Sequence, residues 1–205
     1  MIGIRNISYD AAHTSTQQRA NLRRLPAEHR VRVYTGDVAI STQPATLEAL
    51  LGSCVAVCLY DPCLRAGGIN HILLPGGCRD CTGTRFGVHA MELLINELMK
   101  QGADRRRFIA KAFGGANVLA GLVSATIGDE NAKFVREFLA AERIPLIAER
   151  LGGTQAVHLH FKTNTGKATV RTVDGSRLPK LIHSEAAYWR SHLDDKDFSG
   201  EITLF

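Results

Sequence analysis

The sequence predicts a single-domain α/β fold, a layered sandwich of mixed β-sheet with two main helices. Three observations carry this. Short apolar segments rich in β-branched residues recur along the chain, two longer stretches repeat apolar residues at three- and four-residue steps, and Gly, Asp-Pro and Thr-Gly punctuate them. The length of 205 residues suits one core with tails rather than two enzymatic domains.

Residues 1–30 are polar and weakly periodic and read as an N-terminal basic extension. The stretch VRVYTGDVAIS at 31–41 has the character of a strand pair around Thr35-Gly36. Cys54 to Tyr60, valine-rich and ended by Asp61-Pro62, is too short for an independent helix and reads as a buried strand. Gly67 to Pro75 is a second strand, so the two form a hairpin. From Arg85 to Gln101 the residues Val88, Met91, Leu94, Ile95 and Leu98 line one helix face, and Gly102 caps the C-terminus. Phe108 to Phe113 is a strand running into Gly114-Gly115. Asp129 and Glu130 open a second helix, where acids suit the dipole, and its Val135, Phe138 and Leu139 face inward. Ile144 to Ala148 is a further strand. Val157, Leu159 and Phe161 then alternate with His158, His160 and Lys162, and Thr165-Gly166 turns the chain into Ala168 to Val173. From Asp174 the chain is a polar C-terminal extension with one short helix around 185–193 holding Tyr188 and Trp189. The folded domain therefore spans 31–173.

Composition narrows the function. Hydrophobic residues at 45% and charged residues at 22% are globular values, which exclude collagen and low-complexity chains. The longest nearly apolar stretch, Leu50 to Tyr60, is 11 residues and contains Gly52 and Ser53. It falls short of the ~18 of a membrane span. The start has no basic segment leading into an apolar one, so no secretory signal is expected and the protein reads as soluble and cytoplasmic. The formal net charge is +5, and Arg19, Arg23, Arg24, Arg30 and Arg32 face only Glu28 in their stretch. Such a run can meet phosphates or carboxylates, but no nucleic-acid module accompanies it, and it reads as a solvated basic tail.

All five cysteines, Cys54, Cys58, Cys63, Cys78 and Cys81, fall inside 28 residues. An odd count without a secretory signal favours reduced thiols over a disulfide framework. A thiol nucleophile and a metal site then compete. Gly52-Ser53-Cys54 is a small-residue turn entering a strand, where backbone can approach a substrate closely, and His71 lies 17 residues later on the returning strand. An antiparallel register with Ala56 opposite His71 puts Cys54 and His71 on one face as diagonal neighbours. A one-residue slip puts them on opposite faces unless a bulge intervenes.

For the metal reading, Cys58 and Cys63 with Cys78 and Cys81 offer four thiolates to zinc, but Cys58 sits mid-strand and should point into the core, so no metal is expected. His158 and His160 share a strand face with no acid or cysteine in view to complete a set, and read as solvent-facing. The turn Gly114-Gly115-Ala116-Asn117 lacks the Gly-Lys-Ser/Thr of a triphosphate loop. No cofactor is expected. His89 reads as a packed or surface histidine.

The segments LLGSCVAVCLYDP (50–62), GGINHILLPG (67–76), RFGVHAMELLINELMKQGA (85–103), KAFGGANVL (111–119), IGDEN (127–131) and LGG (151–153) together resemble CheD, the chemoreceptor glutamine deamidase family of bacterial chemotaxis. They occur in the family's order and spacing, over roughly residues 31–173. The resemblance implies an α/β layered fold shared with toxins of the cytotoxic necrotizing factor type, and an amidase whose cysteine and histidine fall on Cys54 and His71. It implies, as substrates, glutamines and in some members glutamyl methyl esters on the cytoplasmic helical bundle of methyl-accepting chemotaxis receptors. It also implies a second partner, the phosphatase CheC, so a binding module that regulates CheC is the alternative to an enzyme. Neither nucleic acid nor membrane insertion is implied. One position departs from the pattern. The family usually carries a threonine six residues before the nucleophile as third member of the triad, and here that residue is Glu48, with Thr46 the nearest threonine upstream. Thr46 serves through a local shift, or Glu48 accepts the imidazole N–H as carboxylates do elsewhere, or activity is impaired. Retained activity is the expectation.

Overall fold

The computed structural model describes residues 2–5, 29–74, 82–118 and 127–173, together with His183 and Ala187. Among the described residues, ten strands and two α-helices follow one another: β1 (Ile2–Arg5), β2 (His29–Arg32), β3 (Val38–Ser41), β4 (Ala45–Leu51), β5 (Val55–Asp61), β6 (Ala66–Ile72), α1 (Thr82–Lys100), β7 (Ile109–Gly114), α2 (Ile127–Ala141), β8 (Leu146–Leu151), β9 (Val157–Lys162) and β10 (Lys167–Thr172). They form three layers. A six-stranded mixed sheet, ordered β1-β3-β6-β5-β7-β8, lies between the helices and a four-stranded sheet ordered β10-β9-β4-β2.

Each layer boundary holds its own core. Val38, Val55, Val57, Leu59 and Ile72 meet Met91, Leu94, Ile95, Leu98, Val135 and Leu139 on the helical side. On the other side Ala56, Cys58, Tyr60 and Ile69 meet Leu47, Ala49, Leu51, Leu159 and Phe161. Because β5 and β6 are covered on both faces, every residue of either is buried. That explains why neither shows the apolar–polar alternation of a strand with one exposed face. The α1 terminus is a Schellman motif, with Gly102 at φ +95, its N–H bonded to the Met99 carbonyl and the Ala103 N–H to that of Leu98.

Three details differ from the sequence reading. The strands flanking Thr35-Gly36 exist but do not pair with each other, since β2 lies parallel to β4 and β3 joins β1 and β6 in the other sheet. The chain changes layers across 33–37. Strand β4 had no counterpart, because Ala-Thr-Leu-Glu-Ala-Leu-Leu has helical composition and is extended only by its neighbours β9 and β2. Of the stretch expected as an N-terminal extension, Ile2–Arg5 and the first half of β2 are strands at sheet edges. Cys78 and Cys81, and all but Ala187 of the helix expected around 185–193, lie outside the described residues.

Candidate active site

The β5–β6 hairpin takes the register with Ala56 opposite His71. Cys54, immediately before β5, and His71 therefore project from the same face, into the space between the two sheets, at the open end of the hairpin away from its turn. His71 Nε2 lies 2.8 Å from Cys54 Sγ. Both residues are buried.

The second ring nitrogen decides which proton the first can take. His71 Nδ1 is 3.1 Å from the Val33 carbonyl oxygen. A carbonyl can only accept, so Nδ1 carries the hydrogen, and in the neutral ring Nε2 is left as the acceptor facing the thiol. Thr35 Oγ1 stands 3.5 Å from the same Nε2. The histidine backbone is tied to the same segment, with His71 N–H donating to the Asp37 carbonyl and Gly36 N–H donating to that of His71. Asp37 Oδ2 accepts the Tyr34 N–H at 3.0 Å, closing the turn. Burial raises the Asp37 carboxyl pKa, and the Tyr34 N–H partly offsets this.

The cysteine is held from the opposite side. Gly115 N–H donates to the Cys54 carbonyl and Ala116 N–H to the Gly52 carbonyl, both at 2.7 Å. Gly114, at φ +109, lies so close that a Cβ there would stand 2.2 Å from the Cys54 oxygen. Asn131, fully buried on α2, links both arms. Its Oδ1 accepts the Leu74 N–H at 2.8 Å, and its Nδ2 donates to the Ser53 carbonyl at 3.2 Å and to that of Ile127 at 2.8 Å. One side chain thus fixes the residue before the cysteine and the third residue after the histidine.

Glu48 and Thr46 do not join this group. Leu47, Ala49 and Leu51 point into the core between the sheets, so by strand alternation Thr46 and Glu48 face outward. Glu48 Oε1 accepts from Arg30 Nη1 at 3.0 Å and stands 3.3 Å from His160 Nδ1, while Oε2 is 3.9 Å from His158 Nε2. Two expectations change with that. The group orienting His71 is a main-chain carbonyl at 33, which no side-chain motif reports, and the His158–His160 pair does have an acid beside it. The rings of those histidines lie 4.4 Å apart. Among the described residues, no group of three or more His, Cys, Asp or Glu side chains is arranged to hold a metal ion. Cys58 is buried, and its desolvated thiol is pushed above the usual range, whereas Cys63 is exposed.

Comparison with known proteins finds one family model, described as CheD chemotactic sensory transduction, over residues 74–172. A Stenotrophomonas maltophilia protein named "Probable chemoreceptor glutamine deamidase CheD" is 46% identical over 160 residues, covering 78% of this chain and 80% of its own length. A Xanthomonas euvesicatoria protein of the same name matches to the same extent. A Burkholderia mallei protein, again so named, is 43% identical over 171 residues, covering 81% of this chain and 73% of its own.

Proposed function

This chain belongs to the CheD family, and from that premise we propose that it is a cysteine-dependent protein-glutamine deamidase acting on chemoreceptors. The observation that carries the chemistry is the 2.8 Å approach of His71 Nε2 to Cys54 Sγ, with Nδ1 fixed by the Val33 carbonyl.

The reaction is acyl transfer. The thiol proton passes to Nε2 and the thiolate attacks the carboxamide carbon of a glutamine side chain. The imidazolium returns that proton to the departing nitrogen, which leaves as ammonia, and a thioester remains on Cys54. His71 then takes a proton from water as it attacks the thioester, and glutamate is released. Each turnover adds one negative charge to a receptor helix.

The substrates in this reading are glutamines on the cytoplasmic helical bundle of methyl-accepting chemotaxis receptors, so the enzyme works in the cytoplasm. No helix among the described residues is long and apolar enough to cross a membrane. CheC is a second partner in the same proposal and needs no further active site. Incubation with a receptor cytoplasmic fragment tests the reading through ammonia release and a gain of about 1 Da per modified glutamine. Cys54→Ala should abolish both while preserving CheC binding. Turnover that survives Cys54→Ala defeats the assignment of the nucleophile.

A further inference from the structure

The outward face of the four-stranded sheet carries a charge pattern that the deamidation chemistry does not use. Strand registers align it in rows: Arg30, Thr46, Lys162 and Lys167 in one, and Arg32, Glu48, His160 and Thr169 in the next. Leu50, His158 and Arg171 form the third. Five cationic side chains therefore share the face with one carboxylate, in a chain whose formal net charge is +5. Their distribution is not uniform. The cations Arg30, Arg32, Lys162, Lys167 and Arg171 are exposed, whereas Thr46, Leu50, His158 and His160 between them are half-buried and Glu48 is buried. The face is a shallow trough with a cationic edge on β2 and another along the β9–β10 side.

The dimensions suit one kind of occupant. Three interstrand steps of about 4.8 Å separate β2 from β10, a width of about 14 Å. An α-helix with its side chains is about 10–12 Å across. It can lie in the trough with carboxylates on both flanks reaching the two edges. The β2 edge of the trough continues into the segment that holds His71. Tyr34 is 59% exposed and continues the β2 edge, and its chain neighbours Val33 and Thr35 both contact the His71 ring.

We infer that this face is a docking surface for a helix bearing acidic side chains on both flanks, within the chemoreceptor substrate itself. The inference rests on the deamidase reading for the identity of that substrate, and on charge and shape for the helix. It also gives Arg30 and Arg32, the end of the arginine-rich stretch, a place in recognition.

The test uses the full chain and a variant combining Lys162→Glu, Lys167→Glu and Arg171→Glu, all exposed positions whose replacement leaves the core intact. The probe is a labelled helical peptide of about 20 residues, about 30 Å long, with glutamate on both flanks and no glutamine. Anisotropy should show binding that weakens from about 50 mM to about 300 mM salt and falls about tenfold in the variant. In parallel, the variant should raise KM for the receptor fragment and leave kcat unchanged. Equal peptide binding by both proteins overturns the inference, and so does tighter binding of duplex DNA or phosphatidylglycerol vesicles through the same three residues. Absence of turnover by the unmodified chain defeats the deamidase reading alone, and peptide binding then decides the docking surface by itself.

Discussion

Gly114→Ala is the sharpest perturbation of the site that leaves both reacting side chains chemically unaltered. Gly114 pairs with Val55 and has φ +109, a conformation that costs a residue with a Cβ about 1–3 kcal/mol. The added carbon would stand 2.2 Å from the Cys54 carbonyl oxygen and 3.2 Å from Leu51 Cβ, whereas real Cβ contacts do not fall under 3.0 Å. The carbonyl must therefore retreat by close to 1 Å, and its bond from Gly115 N–H, now 2.7 Å, must stretch or turn. Cys54 moves with it, since the displaced oxygen is its own. A misplacement of about 1 Å in a reacting group costs about 100-fold in rate. The expectation is a fall in kcat of about that size, with a loss of about 2–3 kcal/mol in stability that lowers Tm by about 4–12 °C at this chain length. Gly102→Ala is the control. It has φ +95 but nothing within 4 Å of the new carbon, so it should cost about 1–2 kcal/mol with kcat intact. Ammonia release below the melting transition and thermal unfolding of both variants are the measurements. Gly114→Ala enzyme with kcat within about threefold of the parent would refute the claim that this approach positions the nucleophile.

Glu48→Gln and Thr46→Ala should leave kcat unchanged, because both side chains face away from His71; a large loss in either, measured by ammonia release, would restore a side chain as the orienting group. Asn131→Ala removes the acceptor for the Leu74 N–H and a donor to the Ser53 carbonyl, at a cost of about 2–3 kcal/mol. Steady-state kinetics should show a fall in kcat that persists after normalisation to the folded fraction measured by thermal unfolding; a deficit fully accounted for by unfolded protein would make Asn131 a purely structural residue. Asp61 supplies the pH dependence. Its burial opposes ionisation, but Arg107 and the backbone N–H groups of Asp104, Leu64 and Cys63 outweigh that and hold its carboxyl below the usual carboxylate range. Its stabilising contribution is thus complete above the unfolded value of about 3.9 and lost as pH falls through the folded one. Tm measured from neutral to acid pH should fall in that range, and Arg107→Ala should lower Tm most at neutral pH and flatten the acid limb.

The parts legible in the sequence were those whose cause is local. The α1 stripe of Met91, Leu94, Ile95 and Leu98 with Gly102 behind it, and the Val157–Phe161 alternation, follow from periodicity and turn chemistry and appear where expected, although Val88, read as part of the stripe, is exposed near the start of the helix. The Cys54–His71 pairing was half legible: spacing and the hairpin made it geometrically available, while the register that realises it is set by β3 and β7 packing on either side. What remained hidden was non-local. Strand β4 has helical composition and is extended because β9 and β2 flank it. Asn131 reads as an ordinary residue in the first turn of a helix, and its role depends on Ser53 and Leu74 arriving from two other elements. The advance sign was its place at the end of IGDEN (127–131), one of the segments that carry the family resemblance.

The orientation of His71 by a main-chain carbonyl ties the chemistry to the layering of the fold. Residues 33–37 are where the chain leaves the four-stranded sheet after Arg32 and enters the six-stranded sheet at Val38. Val33 N–H still donates to the Glu48 carbonyl at 2.8 Å, so the carbonyl that fixes the imidazole is anchored to β4 at its other side. Three and four residues on, the Gly36 and Asp37 backbone is already paired with His71 itself. The ring is therefore held by a segment bonded to both sheets, and its tautomer persists only while the sheets keep their separation. A side-chain acceptor can be lost by one substitution, but a carbonyl cannot. Positions 46 and 48 are thereby freed from supporting His71, and Glu48 sits instead among Arg30, His158 and His160, on the surface where a substrate helix would be met.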